Sequence, residues 1–222
     1  LEARPIQVTF RPAHREWKVA TQLQPTADPW TFRAPNLQYF MDSPTHLGAL
    51  DIREWPVTSG GRTQTVRLAL NHLGTADEAM RFTDLTKRVV KEMAAVFGEL
   101  PAFDFGTYTF ISCYRPNCAG DGMEHRNSTS LTSSGSLATS QLGLLGTVSH
   151  EFFHAWNVER IRPRSLEPFN FSDANMSGEL GVSIPPGFDD ANVTWISSVG
   201  FNGFGGVPRP DTKRSPGDPP GG

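Results

Sequence analysis

Two histidines lie four residues apart in the segment SHEFFHAWNVERIRPR, residues 149–164, and a glutamate follows the first of them directly. Side chains four residues apart share one face of a helix, so His150 and His154 can present their imidazoles to the same ion. Glu151 lies about 100° further around the helix, where it can reach a metal-bound water without ligating the metal. Zinc lowers the pKa of such a water towards ~7, and a glutamate there can accept its proton and return it to a leaving amine. The spacing therefore favours a site for metal-assisted amide hydrolysis.

The alternative is an ordinary amphipathic helix, because a motif with three fixed residues also arises by chance. Phe152, Phe153 and Trp156 flank the histidines and can anchor one face of the helix in a core while the histidines face a cleft. This placement favours the metal site over the amphipathic helix.

A second segment, GDGMEHRNSTSLT at residues 120–132, precedes the metal helix. Its two glycines let a ligand backbone approach closely, and Glu124 is a candidate for binding the free α-amine of a substrate. Taken alone, the segment is more simply explained as a turn that leads into a strand with one solvated acid.

Taken together, HEFFHAWNVERIRP and GMEHRNST resemble the hallmark segments of the glycyl aminopeptidase family, which are gluzincin zinc metallopeptidases. FMDSPTHLG at 40–48, WKVATQL at 17–23 and FNF at 169–171 resemble the same family, so the likeness covers about residues 17–180. It implies a β domain followed by a thermolysin-like catalytic domain, commonly with a PDZ domain after it. The activity implied is the removal of N-terminal glycine or alanine from peptides.

The resemblance also implies a role for each matching residue. His150 and His154 would be zinc ligands, and Glu151 would be the general acid/base acting on metal-activated water. Gly122 and Met123 would offer backbone hydrogen bonds to the substrate, and Glu124 would hold its amine. His125 belongs to the motif, but no chemistry is assigned to it.

The family's third ligand, a glutamate in a W-x-x-E-G-F segment, has no counterpart in this sequence. In that register the chain reads GELGVSIPPGF, with Gly181 in place of the tryptophan and Ile184 in place of the ligand. Other acids are weaker candidates: Glu179, Asp173, Asp189 and Asp190. We therefore expect a truncated or frame-shifted member in which no carboxylate from residues 165–222 completes the site. Zinc binding and aminopeptidase activity should then be weak, and the alternatives are an impaired peptide-binding module or a truncated fragment.

The predicted fold is α+β: a partial antiparallel β-sandwich at residues 1–74, then a truncated thermolysin-like subdomain at 75–180. Residues 1 to about 70 alternate like antiparallel strands and show no βαβ rhythm. A capping box of Thr75 and Glu78 predicts a helix that Gly98 ends. Residues 181–222 contain nine Gly and seven Pro, so we expect an irregular tail.

The bulk composition excludes several other classes of protein. The 222 residues carry a net charge of −3 with mixed signs, which argues against a nucleic-acid surface, and no stretch is long and apolar enough to span a membrane. Cys113 and Cys118 fit a small disulfide loop or two free thiols equally well. The sequence leaves the cellular compartment open.

Overall fold

The computed structural model describes residues 3–157 and 159–161, and ten strands, three α-helices and one short 3₁₀ helix (Asp104–Gly106) lie in these ranges. The strands are β1 (Ile6–Thr9), β2 (Lys18–Thr21), β3 (Gln24–Pro25), β4 (Thr31–Ala34), β5 (Thr45–Gly48), β6 (Asp51–Ser59), β7 (Arg62–His72), β8 (Thr107–Tyr114), β9 (Asp121–His125) and β10 (Ser128–Ser133). The helices are α1 (Leu37–Met41), α2 (Ala76–Phe97) and α3 (Gln141–Phe153). None of these helices is long and apolar enough to cross a membrane.

The largest sheet has five strands in the order β6-β7-β8-β10-β9. Strands β6 and β7 form an antiparallel hairpin whose turn contains Gly60 and Gly61, both at positive φ (55° and 73°). Residues other than glycine rarely adopt this backbone conformation. Two successive residues at positive φ match the twist of the strands that a two-residue hairpin turn connects. The sequence SGG therefore sets this turn.

Strand β8 pairs parallel to β7, and helix α2 forms the crossover between them. The described strand pairs within residues 1–72 are all antiparallel, whereas the parallel pair joins β7 to a strand that begins only at Thr107. The first half of β7 alternates between buried and less buried residues because one of its faces packs on the core, although β6 pairs with it antiparallel and β8 pairs with it in parallel. Alternation reports burial of one face and does not report the direction of each neighbour.

Helix α2 begins and ends as the sequence predicts. The Thr75 hydroxyl accepts a hydrogen bond from the Glu78 N–H at 3.2 Å, and the Glu78 carboxylate accepts one from the Thr75 N–H at 2.8 Å. Gly98 follows the helix in the left-handed conformation, with φ of 80°. The Thr75 hydroxyl thereby satisfies one of the N–H groups that the first turn of the helix leaves unpaired.

Helices α2 and α3 pack on one face of the five-stranded sheet and form the main core. Side chains that contribute include Val66, Leu68, Leu70, Phe82, Tyr108, Phe110, Val148 and Phe152, all fully buried. A second, smaller cluster of buried side chains, among them Ala20, Ala69 and Ile111, joins β2, β7 and β8. The N-terminal strands form a three-stranded sheet, β1-β4-β3, and an antiparallel β2–β5 pair.

These small antiparallel sheets followed by helices confirm the α+β class. The five-stranded sheet takes β6 and β7 from before residue 74 and its other three strands from after it, so it continues across the predicted domain boundary. The division at 74 stays a prediction, and the predicted tail at 181–222 lies outside the described residues. A disulfide joins Cys113 to Cys118, which decides the alternative that the sequence left open.

Candidate metal centre and substrate strand

Helix α3 carries the two-histidine motif at its C-terminal end. His150 and Glu151 lie in its last turn, and His154 follows directly after Phe153 with helical φ and ψ of −67° and −14°. The N–H of His154 donates to the carbonyl of Glu151 at 3.2 Å, which tightens this last turn. The regular helix therefore ends well before Pro163, but the four-residue spacing still places both histidines on one side.

The three side chains of the motif converge. Candidate ligand atoms of His150, Glu151 and His154 all lie within 4.8 Å of one another. The two imidazole rings meet edge to face with centroids 5.1 Å apart, and Nε2 of His150 lies 3.9 Å from Oε1 of Glu151. Two imidazoles are ligands suited to zinc, and the carboxylate beside them can reach a zinc-bound water, so the residues present fit that ion.

The orientation of His154 is set by a backbone carbonyl. Its Nδ1 lies 3.3 Å from the carbonyl oxygen of Asn157. A carbonyl can only accept, so Nδ1 carries the proton in this contact and Nε2 is left as the nitrogen that can coordinate a metal. Metal-binding histidines are commonly oriented by such a second hydrogen bond.

The opposite side of α3 is anchored in the core, as the flanking aromatic residues predict. Phe152 is fully buried and Trp156 is 7% exposed. The Trp156 ring stacks on Phe97 of α2 at 4.4 Å, and its Nε1 donates to the carbonyl of Glu99 at 3.2 Å. This packing holds the histidines in place relative to the sheet.

Strand β9 lies against the motif and is an edge strand, because β10 is its neighbour on one side and no described strand pairs on the other. A methyl group added to Gly122 would lie 2.7 Å from the carboxyl carbon and 2.8 Å from Cγ of Glu151. Real side-chain carbons do not approach so closely, so an alanine here would force β9 or the Glu151 side chain to shift. The motif GMEH and the motif HEFFH therefore meet at one contact.

Glu151 is buried, with its side chain 6% exposed. Burial, and secondarily the negative charges of Glu124 and Asp121, raise the pKa of Glu151 to about 7. The carboxylate can therefore both accept and release a proton near neutral pH, which is the property a general base needs.

The other predicted substrate residues lie on the same strand. Alternation along β9 places Gly122 and Glu124 on the face towards α3, and the charge of Glu124 is felt by Glu151. Met123 points to the opposite face, with its side chain 53% exposed. The Met123 carbonyl accepts from Oγ1 of Thr129 at 2.9 Å, and the Gly122 N–H donates to Oδ1 of Asp121 at 2.9 Å.

A cleft of about 970 Å³ opens beside Glu151 and His150. Its walls are the start of β9, the end of β10 with the loop after it, and the N-terminal half of α3. Many lining side chains carry hydroxyl groups, among them Thr132, Ser133, Ser134, Ser140 and Thr147. The cleft is large enough for several residues of an extended peptide.

Two residues near the site carry structural roles that the sequence did not reveal. Arg160 donates to the carbonyls of Ala155, Arg126 and Ala102 at 2.7, 3.1 and 2.9 Å, which ties the end of the motif to the turn between β9 and β10. Asp42 contacts His125, as described below. The segment containing Asp42 carried a family likeness, but nothing in its spacing indicates the contact.

The predicted replacement of the third ligand falls outside the described residues. Ile184, Glu179, Asp173 and the Asp189–Asp190 pair all lie beyond residue 161. The absence of a third protein ligand therefore stays a prediction from the sequence.

The profile of the M61 glycyl aminopeptidase family matches residues 143–183, which include the whole two-histidine motif, and that of the peptidase M61 N-terminal domain matches residues 1–49. These two matches support membership of the chain in the M61 glycyl aminopeptidase family. The M61 match ends one residue before Ile184.

A solved aminopeptidase structure has a fold similar to that of this chain. The aminopeptidase N family protein from Idiomarina loihiensis superposes with a TM-score of 0.57 at 24% identity, over 78% of this chain. The match covers 30% of that protein, so this chain spans under a third of its length. Curated proteins gave no match.

Proposed function

We propose that this M61 chain is a zinc metallopeptidase of the aminopeptidase type that removes N-terminal glycyl or alanyl residues from peptides. The observation that carries the proposal is the contact between Gly122 and Glu151, because it brings a free strand edge against a buried carboxylate beside two histidines. Family membership supports the same reaction.

His150 and His154 would hold the metal through their imidazoles. A zinc ion bound there would act as a Lewis acid that polarises the scissile carbonyl and makes water acidic enough to ionise near neutral pH. Glu151 accepts the proton of the attacking water and delivers it to the nitrogen of the leaving amine. Its raised pKa, to about 7, suits both transfers.

Strand β9 would position the substrate. An extended peptide can add to an unpaired strand edge through main-chain hydrogen bonds. If it runs antiparallel to β9, its N-terminus lies near Glu124 and its later residues lie near Gly122, beside the cleft. Glu124 would then pair with the α-ammonium group and restrict the enzyme to N-terminal residues.

The first test measures zinc binding by the purified full chain with a competing chelator dye. We expect His150→Ala and His154→Ala each to weaken zinc binding, and Glu151→Gln to leave it largely unchanged. Equal zinc affinity in the wild type and both histidine variants would refute the metal centre.

The second test measures hydrolysis of glycyl and alanyl anilides with zinc added. We expect turnover to be weak at most, because no third ligand is expected, and both a chelator and Glu151→Gln should abolish it. Turnover retained by that variant would refute the mechanism. Zinc bound only weakly, with no hydrolysis but with peptide binding intact, would instead establish the impaired peptide-binding module.

A further inference from the structure

We propose that Asp42 and His125 form a positioning pair that fixes the turn between β9 and β10 and, through it, the carboxylate of Glu124. The inference rests on the proposed role of Glu124 in binding the substrate amine. It gives a role to the histidine that directly follows Glu124 and to an N-terminal residue far away in the sequence.

The pair is joined by short contacts. Nδ1 of His125 lies 2.9 Å from Oδ1 of Asp42, and the N–H of Arg126 donates to Oδ2 of the same carboxylate at 3.1 Å. The His125 side chain is 12% exposed. One carboxylate therefore binds both the last side chain of β9 and the first backbone amide of the turn.

His125 cannot act on the substrate directly. Successive side chains of a strand point to opposite faces, and Gly122 and Glu124 occupy the face towards α3. His125 points to the other face, where Asp42 meets it. Its effect on the site must therefore pass through the backbone of β9.

Gln22 holds the same turn from a second direction. Its Nε2 donates to the backbone carbonyl of Asp42 at 2.6 Å, and its Oε1 accepts from the N–H of Asn127 at 2.8 Å and from the hydroxyl of Ser128 at 3.0 Å. Gln22 is 5% exposed, so these contacts are shielded from water. Asp42 and Gln22, both from the N-terminal region, therefore bind residues on either side of the turn.

Asp104 binds the two residues of the turn itself, Arg126 and Asn127. Its Oδ2 accepts from Nε of Arg126 at 2.6 Å and from Nδ2 of Asn127 at 2.9 Å. Both residues of the β9–β10 turn are therefore fixed by side chains from outside the hairpin. An edge strand has a partner on one side alone, so its end frays unless other contacts hold it.

The consequence for recognition is specific. Releasing the turn should let the Glu124 carboxylate move from the position where it meets an α-ammonium group, and displacements of about 1 Å already weaken charge-directed contacts strongly. We expect affinity for a peptide with a free amine to fall about tenfold, while affinity for the N-acetylated peptide, which does not use Glu124, is unchanged.

The experiment measures binding of Gly-Gly-Phe and N-acetyl-Gly-Gly-Phe to the full metal-free chain by calorimetry. Asp42→Ala should remove most of the preference for the free amine. Asp42→Asn keeps the shape of the side chain and one of its two oxygen acceptors, so it should retain part of that preference. It also serves as the milder variant if Asp42→Ala fails to fold. The proposal would be overturned if Asp42→Asn retained the full preference for the free amine and either Asp42→Ala or His125→Ala retained it as well.

The control is Asp51→Ala, which removes another carboxylate beside a histidine, His72 at 3.7 Å, in a hairpin away from β9. It should leave the free-amine preference intact, and a loss as large as that of Asp42→Ala would show a general effect of destabilisation and overturn the inference. Glu124→Gln separates the two levels of the argument. If the wild type shows no preference for the free amine, or Glu124→Gln retains it, the proposed role of Glu124 fails. If Glu124→Gln loses it but the Asp42 variants do not, the positioning pair alone fails.

Discussion

Glu151→Gln tests the central electrostatic feature of the site in the metal-free protein, where the expected effect on stability is opposite to the effect on activity. The wild-type carboxyl group has its pKa raised from 4.5 to about 7, mainly by burial. It is therefore protonated more readily in the folded chain than in the unfolded chain. Stability from this group is fully present below about pH 4.5 and is lost as the pH rises through about 7.

The magnitude follows from the two pKa values. A change from 4.5 to about 7 corresponds to roughly 3 kcal/mol of unfavourable free energy for the ionised group above neutral pH. The carboxylate borders an open cleft, where solvent screens part of this cost, so about 2 kcal/mol is expected. Glutamine has nearly the same shape and no charge. The variant should therefore be about 2 kcal/mol more stable than the wild type near pH 8 and equal to it near pH 4.5.

The assay is urea unfolding followed by the fluorescence of the five tryptophans, with a chelator present. Glu92→Gln, at an exposed position of α2, is the matched control and should change stability at neither pH. A difference of the same size at both pH values would show that packing, and not ionisation, separates the two proteins. A variant that is less stable than the wild type near pH 8 would refute the reasoning.

Three further variants test the packing around the site. Gly122→Ala should cost about 1–3 kcal/mol of unfolding free energy because its methyl group meets the Glu151 side chain, whereas Gly120→Ala, with no atom nearby, should not; equal urea midpoints for the two would contradict the contact. Thr75→Ala should cost about 1 kcal/mol by removing the cap of α2, and recovery in Thr75→Ser would confirm the hydroxyl's role. Phe82→Ala should cost about 3–5 kcal/mol since Phe82 is fully buried, and a midpoint near that of the wild type would be inconsistent with the core described.

Local sequence determined those features whose partners are close along the chain. The capping box at Thr75 and Glu78 and the left-handed Gly98 follow from residues within one helical turn of each helix end. The meeting of His150 and His154 follows from the helical period alone. In each case the interacting groups are fixed by backbone geometry that the sequence specifies directly.

Tertiary structure decided what joins distant segments. The sequence indicated that Gly122 permits a close approach, but only the packing of β9 on α3 shows that Glu151 is what approaches it. Likewise Asp42 and His125 lie 83 positions apart, and no periodicity predicts a contact at that separation. The parallel pairing of β7 with β8 was also settled by the fold. The physical reason is common to all three: a local pattern specifies which face is buried, whereas the partner on that face depends on how the chain closes around a shared core.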